Sequence, residues 1–350
     1  MTSRTPFGHR NLAEFFAALR TSRVATSATA IVATRGDTVF ESSFDLVDAS
    51  GYLGAEGEAR YDLASLTKPC AATLAIVLDE TNELPLNLAV GEIWHAADEP
   101  VKSTRLEDLL RHSGGFQPWA PVYHLCQSRH EAERLLLGSS LLGAQSGTYS
   151  DLGYMLWGLS AEHATGRGLV ELFAKSLSKL SSGQGIGGGS SEDTRVRTCL
   201  LDTDVEQRLA GDLGLTIDLL GAPRRGEVQD GNARFLGGLA AHAGLFGSAR
   251  DLLDLARAWL DPSRSPSAAG PARALSGEGA YGLGWARRDT SASAGDELSP
   301  NAFGHTGFTG SSLWIDPSSD RIFVLAAHRA TTAADLAPWR RAFHALGQRE

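Results

Sequence analysis

Cysteine is scarce. Cys70, Cys126 and Cys199 are the only three, and their wide spacing fits neither a disulfide framework nor a CxxC zinc or redox pair, so they read as isolated buried thiols. Positive charge is also short. The 32 basic residues face 41 acidic ones, a formal net charge of -9. Such a chain lacks the basic footprint that phosphate backbones require, and nucleic acid is not an expected partner. Long apolar runs are missing too. Uncharged stretches such as Leu135 to Ser150 are interrupted by Gly and Ser and stay below the roughly 18 residues a bilayer span needs. Behind Arg4, His9 and Arg10 the apolar segment is broken by Glu14, so no secretory signal is read, and a cytoplasmic location without membrane contact is expected.

Several motifs are absent as well. No G-x-x-x-x-G-K-[ST] and no G-x-S-x-G occurs, which removes the NTPase loop and the α/β-hydrolase elbow. Gly183, Gly185 and Gly188 satisfy G-x-G-x-x-G, but no strand leads into them and no acidic ribose ligand follows. His130-Glu131 starts like a zincin motif, yet Arg134 stands where the second ligand belongs. The ten histidines show no ligand spacing, and neither metal nor organic cofactor is expected.

What is present is an ordinary globular composition, 42% hydrophobic and 21% charged over 350 residues, which excludes disorder, collagen and coiled coil. The length allows about two domain-sized units or one two-lobed unit. A first helix is predicted over Asn11 to Arg20, then a hairpin of Ala28 to Thr34 and Thr38 to Val47 around Gly36-Asp37. Helices follow at Leu66 to Asp79, after a Thr104-x-x-Glu107 capping box, over Leu152 to Leu159 up to Gly166, and from Ser248 to Leu260 before Pro262. Strands are expected at Ala302 to Ile315 and Arg321 to His328, and a last helix at Thr332 to Leu346. With strands at both ends and helices between, an α/β lobe from about 11–90 and 270–348 would carry an inserted, mostly helical lobe at about 91–269, all within one two-lobed unit of 1–350. Residues 181–191 are nine-elevenths Gly and Ser and read as a mobile surface loop.

The chemistry centres on Tyr61-Asp62-Leu63-Ala64-Ser65-Leu66-Thr67-Lys68-Pro69. Proline is tolerated only in a first helical turn, so the helix starts near Ser65 or Leu66, and Ser65 sits at its positive end. Lys68 lies one turn on, within reach of the hydroxyl. Serine is a weak nucleophile without a base, and lysine is a base only when neutral, so such a site must lower an ammonium pKa from about 10.4 towards 7 to 8. Ser and Lys three apart also recur by chance, and alone the pair fits a plain helix start better.

Two further segments are Thr148-Tyr149-Ser150-Asp151 and Phe303-Gly304-His305-Thr306-Gly307-Phe308-Thr309-Gly310-Ser311-Ser312. In this order after S-x-x-K they resemble the three elements of the serine β-lactamase and penicillin-binding-protein superfamily, nearest its class C β-lactamase and esterase branch. Leu109-Leu110-Arg111-His112-Ser113-Gly114-Gly115 and Tyr281-Gly282-Leu283-Gly284-Trp285 extend the likeness. The stretch Gly226-Glu227-Val228-Gln229-Asp230-Gly231-Asn232-Ala233, with Ala241-His242-Ala243-Gly244-Leu245-Phe246, is similar to a sub-branch that includes N-acetylmuramoyl-L-alanine amidases. Asp151, in place of the class C asparagine, points the same way.

The resemblance implies a five-stranded antiparallel sheet flanked by the terminal helices, with the site in a cleft beside a helical lobe. It implies Ser65 as nucleophile, Lys68 as base, Tyr149 as proton shuttle, and the backbone N–H groups of Ser65 and Phe308 as oxyanion hole. Asp151, His305, Thr306, Gly307, Asp230, Asn232 and His242 would contact substrate, although Asp230 and His242 equally fit a loop-bracing pair. His305 stands where β-lactamases carry lysine; its imidazole, charging near pH 6.5, is expected to grip a substrate carboxylate better as pH falls. The implied activity is an acyl-enzyme hydrolase acting on a peptidoglycan-derived peptide amide or a small carboxylic ester. A catalytically silent receptor for cell-wall fragments is the alternative.

Overall fold

The computed structural model describes residues 8–46, 59–178, 180, 185–197, 199–261, 263 and 270–350. Val47, Gly183 and Pro262 lie outside the described residues.

The largest element is an antiparallel sheet. Its strands are β1 (Ala25–Ala33), β2 (Thr38–Asp45), β6 (Ala286–Arg287), β7 (Phe303–Thr306), β8 (Gly310–Asp316) and β9 (Arg321–Arg329), in spatial order β2-β1-β9-β8-β7-β6. The sheet thus has six strands rather than the expected five, the two-residue β6 adding an edge beside β7. Residues from both ends of the chain meet at its centre, where Ile31 of β1 faces Val324 of β9. Side chains alternate along β9. Phe323, Leu325 and Ala327 pack under the helices Leu12–Ser22 and Ala337–Gly347, while Ile322, Val324 and Ala326 enter the large core on the opposite face.

The first helix follows its local signal. The Asn11 side chain accepts from the Glu14 N–H, and Arg23 closes the helix in the left-handed region. The segment predicted as one strand from Ala302 to Ile315 is instead the β7–β8 hairpin, because Gly307 and Gly310 allow a tight reversal, Gly310 at φ 132. The expected Thr104 capping box does not form, and the helix starts one residue later. The Thr104 hydroxyl donates to the Pro100 carbonyl, and the helix Leu106–Leu110 follows Arg105, whose backbone N–H donates to the Asp108 carboxylate. The last helix begins only at Ala337, where the Asp335 carboxylate accepts the Ala337 N–H.

A second, three-stranded sheet positions the site. Its strands are β3 (Tyr61–Asp62), β4 (Gly187–Gly188) and β5 (Leu245–Gly247), in order β3-β5-β4. Part of the Gly/Ser-rich segment is therefore strand rather than loop: Gly187 and Gly188 pair with Phe246 and Leu245, and glycine suits the close approach because a Cβ at the neighbouring Gly189 would meet the Gly226 carbonyl oxygen at 2.2 Å. Leu63 continues the ladder by donating to Leu245. Among the described residues no helix is long and apolar enough to cross a membrane, and the three cysteines are free and buried.

Candidate active site

The chain reaches Ser65 through a constrained approach. The fully buried Asp62 carboxylate accepts the Ala64 N–H at 2.9 Å and the Gln229 N–H at 2.7 Å, and burial pushes its carboxyl up to about 6. Ala64 adopts φ 45, and the turn Ala64–Leu66 runs directly into the helix Thr67–Glu80, with Pro69 in its first turn. The β7–β8 turn packs against the same approach. Thr309 donates to the Asp62 carbonyl at 2.7 Å, and a Cβ on Gly307 would stand 2.6 Å from the Leu63 oxygen.

Lys68 is fully buried, and its Nζ lies 3.1 Å from Ser65 Oγ, 2.6 Å from Tyr149 Oη and 2.6 Å from Asp151 Oδ1. The His242 carbonyl is a more distant acceptor at 3.4 Å. Tyr149 closes the triangle by donating to Ser65 Oγ at 2.8 Å. Burial lowers the Lys68 pKa, and the Asp151 carboxylate opposes the shift without cancelling it. Burial and the same carboxylate push Tyr149 well above its ordinary value, so it enters as a neutral phenol.

Tyr149 is held from behind. His112, at φ 57, accepts the Ser150 N–H on Nδ1 at 2.9 Å, and its ring lies 4.6 Å from that of Tyr149. Burial, with Lys68 nearby, keeps His112 far below its usual range and hence neutral. Ser150 caps the following helix Asp151–Thr165, which ends at Gly166 in the left-handed region as its sequence predicts.

A cavity of about 430 Å³ opens over Ser65. Of the predicted site residues, Ser65, Tyr149, Asp151, Asp230, His305, Thr306 and Phe308 line it. Lys68 lies beneath this surface, joined to it through Ser65 and Tyr149. Three others are placed differently. Asn232 is fully buried, its amide donating to the Ala120 carbonyl and accepting the Tyr123 N–H, which braces the loops instead of facing the cavity. His242 is buried behind Asp230, which its Nε2 meets at 2.9 Å. Gly307 serves the turn contact with Leu63.

His305 is also corrected. Its Nδ1–H donates to the Thr306 carbonyl at 2.9 Å, and burial together with Lys68 lowers its pKa to about 3. It carries no charge near pH 6.5, so the expected pH-dependent grip on a carboxylate is lost. The sequence reading missed Trp119 and Glu206, which also line the cavity. Nothing local marks them; Glu206 reaches it only because the helix Asp204–Asp212 packs beside Gly231 and Tyr123.

Over residues 12–347 the sequence matches the Beta-lactamase family. The chain belongs to that family. Members of this β-lactamase-related family are serine hydrolases, and this chain is one of them. It is 28% identical over 310 residues to a putative D-alanyl-D-alanine carboxypeptidase of Escherichia coli O157:H7, covering 77% of this chain and 69% of that one. It is 27% identical over 315 residues to the N-acetylmuramyl-L-alanine amidase of Bacillus subtilis (strain 168), covering 78% and 68%. In fold it is similar to EstCE1, a hydrolase with promiscuous acyltransferase activity, at a TM-score of 0.71, 18% identity and coverage of 96% and 97%.

Proposed function

We propose that this family member is an acyl-enzyme amidase acting on peptides derived from the bacterial cell wall. The observation that carries the reading is the closed triangle of Ser65 Oγ, Lys68 Nζ and Tyr149 Oη, with edges of 3.1, 2.6 and 2.8 Å. When Lys68 is neutral, its Nζ accepts the Ser65 proton while Oγ attacks the substrate carbonyl carbon. The oxyanion that forms is met by the backbone N–H groups of Ser65 and Phe308, two residues that line the cavity. Tyr149 passes a proton to the departing amine nitrogen, the C–N bond breaks, and Lys68 with Tyr149 then activates a water that releases the acid from Ser65.

Within this class an amidase is favoured over a carboxypeptidase. A carboxypeptidase must hold a terminal carboxylate, and among the described residues no Lys or Arg side chain lines the cavity. The neutral His305 offers no replacement. A silent receptor would have no need of a base buried against a hydroxyl, which costs solvation and is maintained here by three polar contacts.

The test is release of peptide from an N-acetylmuramoyl peptide by the parent and by Ser65→Ala. The reading requires release by the parent that falls by on the order of 10³-fold or more in the variant. Efficient opening of a cephalosporin alongside inert muropeptides would displace it.

A further inference from the structure

Asp62 engages each of its polar atoms with a different segment of the chain. Its N–H donates to Nε2 of His328 on β9 at 3.1 Å, and its carbonyl accepts the Thr309 hydroxyl at 2.7 Å. One carboxylate oxygen accepts the Ala64 N–H, two residues on, in an Asx turn. The other accepts the N–H of Gln229, the residue before Asp230. Burial pushes the carboxyl up to about 6, and these two N–H bonds oppose a further rise, so the charge is kept at neutral pH. Asparagine has a single acceptor oxygen and would turn its own N–H groups towards one of the two donors. A carboxylate is the one side chain of this length that serves both.

These bonds join the two sides on which an oxyanion would be received. Ala64 immediately precedes Ser65 and stands at φ 45, a left-handed conformation rare for alanine, which the bond to Asp62 holds in place. Thr309 immediately follows Phe308, and both Asp62 and Thr309 are fully buried. The two sides also touch directly, since a Cβ on Gly307 would stand 2.6 Å from the Leu63 oxygen. The turn is closed by the Gly310 N–H donating to the Gly307 carbonyl at 3.1 Å, and the Thr309 carbonyl accepts the Arg329 N–H at 2.7 Å. Asp62 is therefore bonded to the neighbour of each donor: to Ala64, beside Ser65, through its carboxylate, and to Thr309, beside Phe308, through its carbonyl.

We infer that Asp62 is a positioning residue for the reaction, its carboxylate and its carbonyl together setting the distance between the Ser65 and Phe308 N–H groups that receive the oxyanion. This rests on the acyl-enzyme reading and adds to it a residue that does not itself line the cavity. An oxyanion forms only as the carbonyl carbon becomes tetrahedral. A displaced donor accordingly weakens the transition state more than the bound substrate, and lowers kcat with little change in KM.

Exchanging the carbonyl oxygen of a substrate for sulfur reads the oxyanion hole directly, because sulfur is larger and accepts hydrogen bonds poorly. The values of kcat and KM would be measured for p-nitrophenyl acetate and its C=S analogue on the parent, Asp62→Asn, Thr309→Val and Thr309→Ser. The parent should favour the oxygen ester in kcat/KM by on the order of 10²-fold. Asp62→Asn and Thr309→Val should each reduce that preference by about tenfold, with kcat for the oxygen ester falling and KM nearly unchanged. Thr309→Ser keeps the hydroxyl and should keep the preference. The preference is a ratio within one preparation and is insensitive to the folded fraction, and if Asp62→Asn does not fold, the two Thr309 variants decide. No preference in the parent, an unchanged preference in Asp62→Asn or Thr309→Val, or an equal loss in Thr309→Ser would overturn the inference while leaving the serine mechanism standing. A parent that turns over neither ester would remove the acyl-enzyme reading and the inference with it.

Discussion

The two ends of the cavity use buried polar groups in opposite ways. At one end Lys68 directs its amine at Ser65, Tyr149 and Asp151, and their polar atoms point at one another. At the other, Asp230 caps the helix Gly231–Phe235, Asn232 ties two loops and Glu206 holds a tyrosine and a backbone N–H. The first arrangement leaves a hydroxyl beside a base whose proton affinity has been lowered. The second consumes most of its hydrogen-bonding capacity in shaping the wall. Substitutions at the first end should therefore change chemistry at little cost in stability, and those at the second should change stability or selectivity while the serine remains reactive.

The sharpest break of the comparison is Lys68→Met. It should cut the fluorophosphonate labelling rate by on the order of 10³-fold and flatten the rising limb of rate against pH, because the base is gone while the volume is kept. A limb with an unchanged midpoint would assign the base elsewhere. The mirror experiment is Asn232→Ala. Leaving the Ala120 carbonyl and Tyr123 N–H without partners should cost about 2 kcal/mol in a denaturant titration, with the labelling rate of the folded protein nearly unchanged.

The sequence disclosed these two ends unequally. Ser65, Lys68 and Pro69 declare themselves locally, since a helix start and a one-turn spacing are set within five residues, and Tyr149-Ser150-Asp151 announces its own N-cap. The far wall is assembled from segments whose meeting depends on the tertiary fold. Glu206 sits on a short helix without a distinctive pattern, and the pairing of Gly187–Gly188 with Leu245–Phe246 cannot be read from glycine content. The hairpin at Gly307–Gly310 was hidden for another reason. The apolar run continues through both strands, so composition suggested one element where the positive φ at Gly310 permits two.

A finer test separates Asp151 from the triangle it adjoins. Its carboxylate raises the Lys68 pKa against the lowering effect of burial, so Asp151→Asn removes the opposing influence and the pKa falls further. The basic limb should move to lower pH, with a plateau rate that changes less than in Lys68→Met. Movement to higher pH in a pH-rate titration would contradict the pairing at 2.6 Å.

The smallest effect is expected at His305. With its pKa lowered to about 3, it stays neutral across the accessible range. The ratio of carboxylate-ligand affinities between the parent and His305→Gln should therefore be the same at pH 5.5 and pH 8. A ratio that grows at pH 5.5 would show that the imidazole takes up a proton in this wall.

The central claim is that the Ser65–Lys68–Tyr149 triangle, and no other part of the cavity, supplies the nucleophile. Intact mass after incubation with a fluorophosphonate addresses it in one measurement. The parent should gain one phosphonyl group, mapped to the peptide containing Ser65, and Ser65→Ala should gain none under identical conditions. An unlabelled parent, or undiminished labelling of Ser65→Ala, would contradict the account.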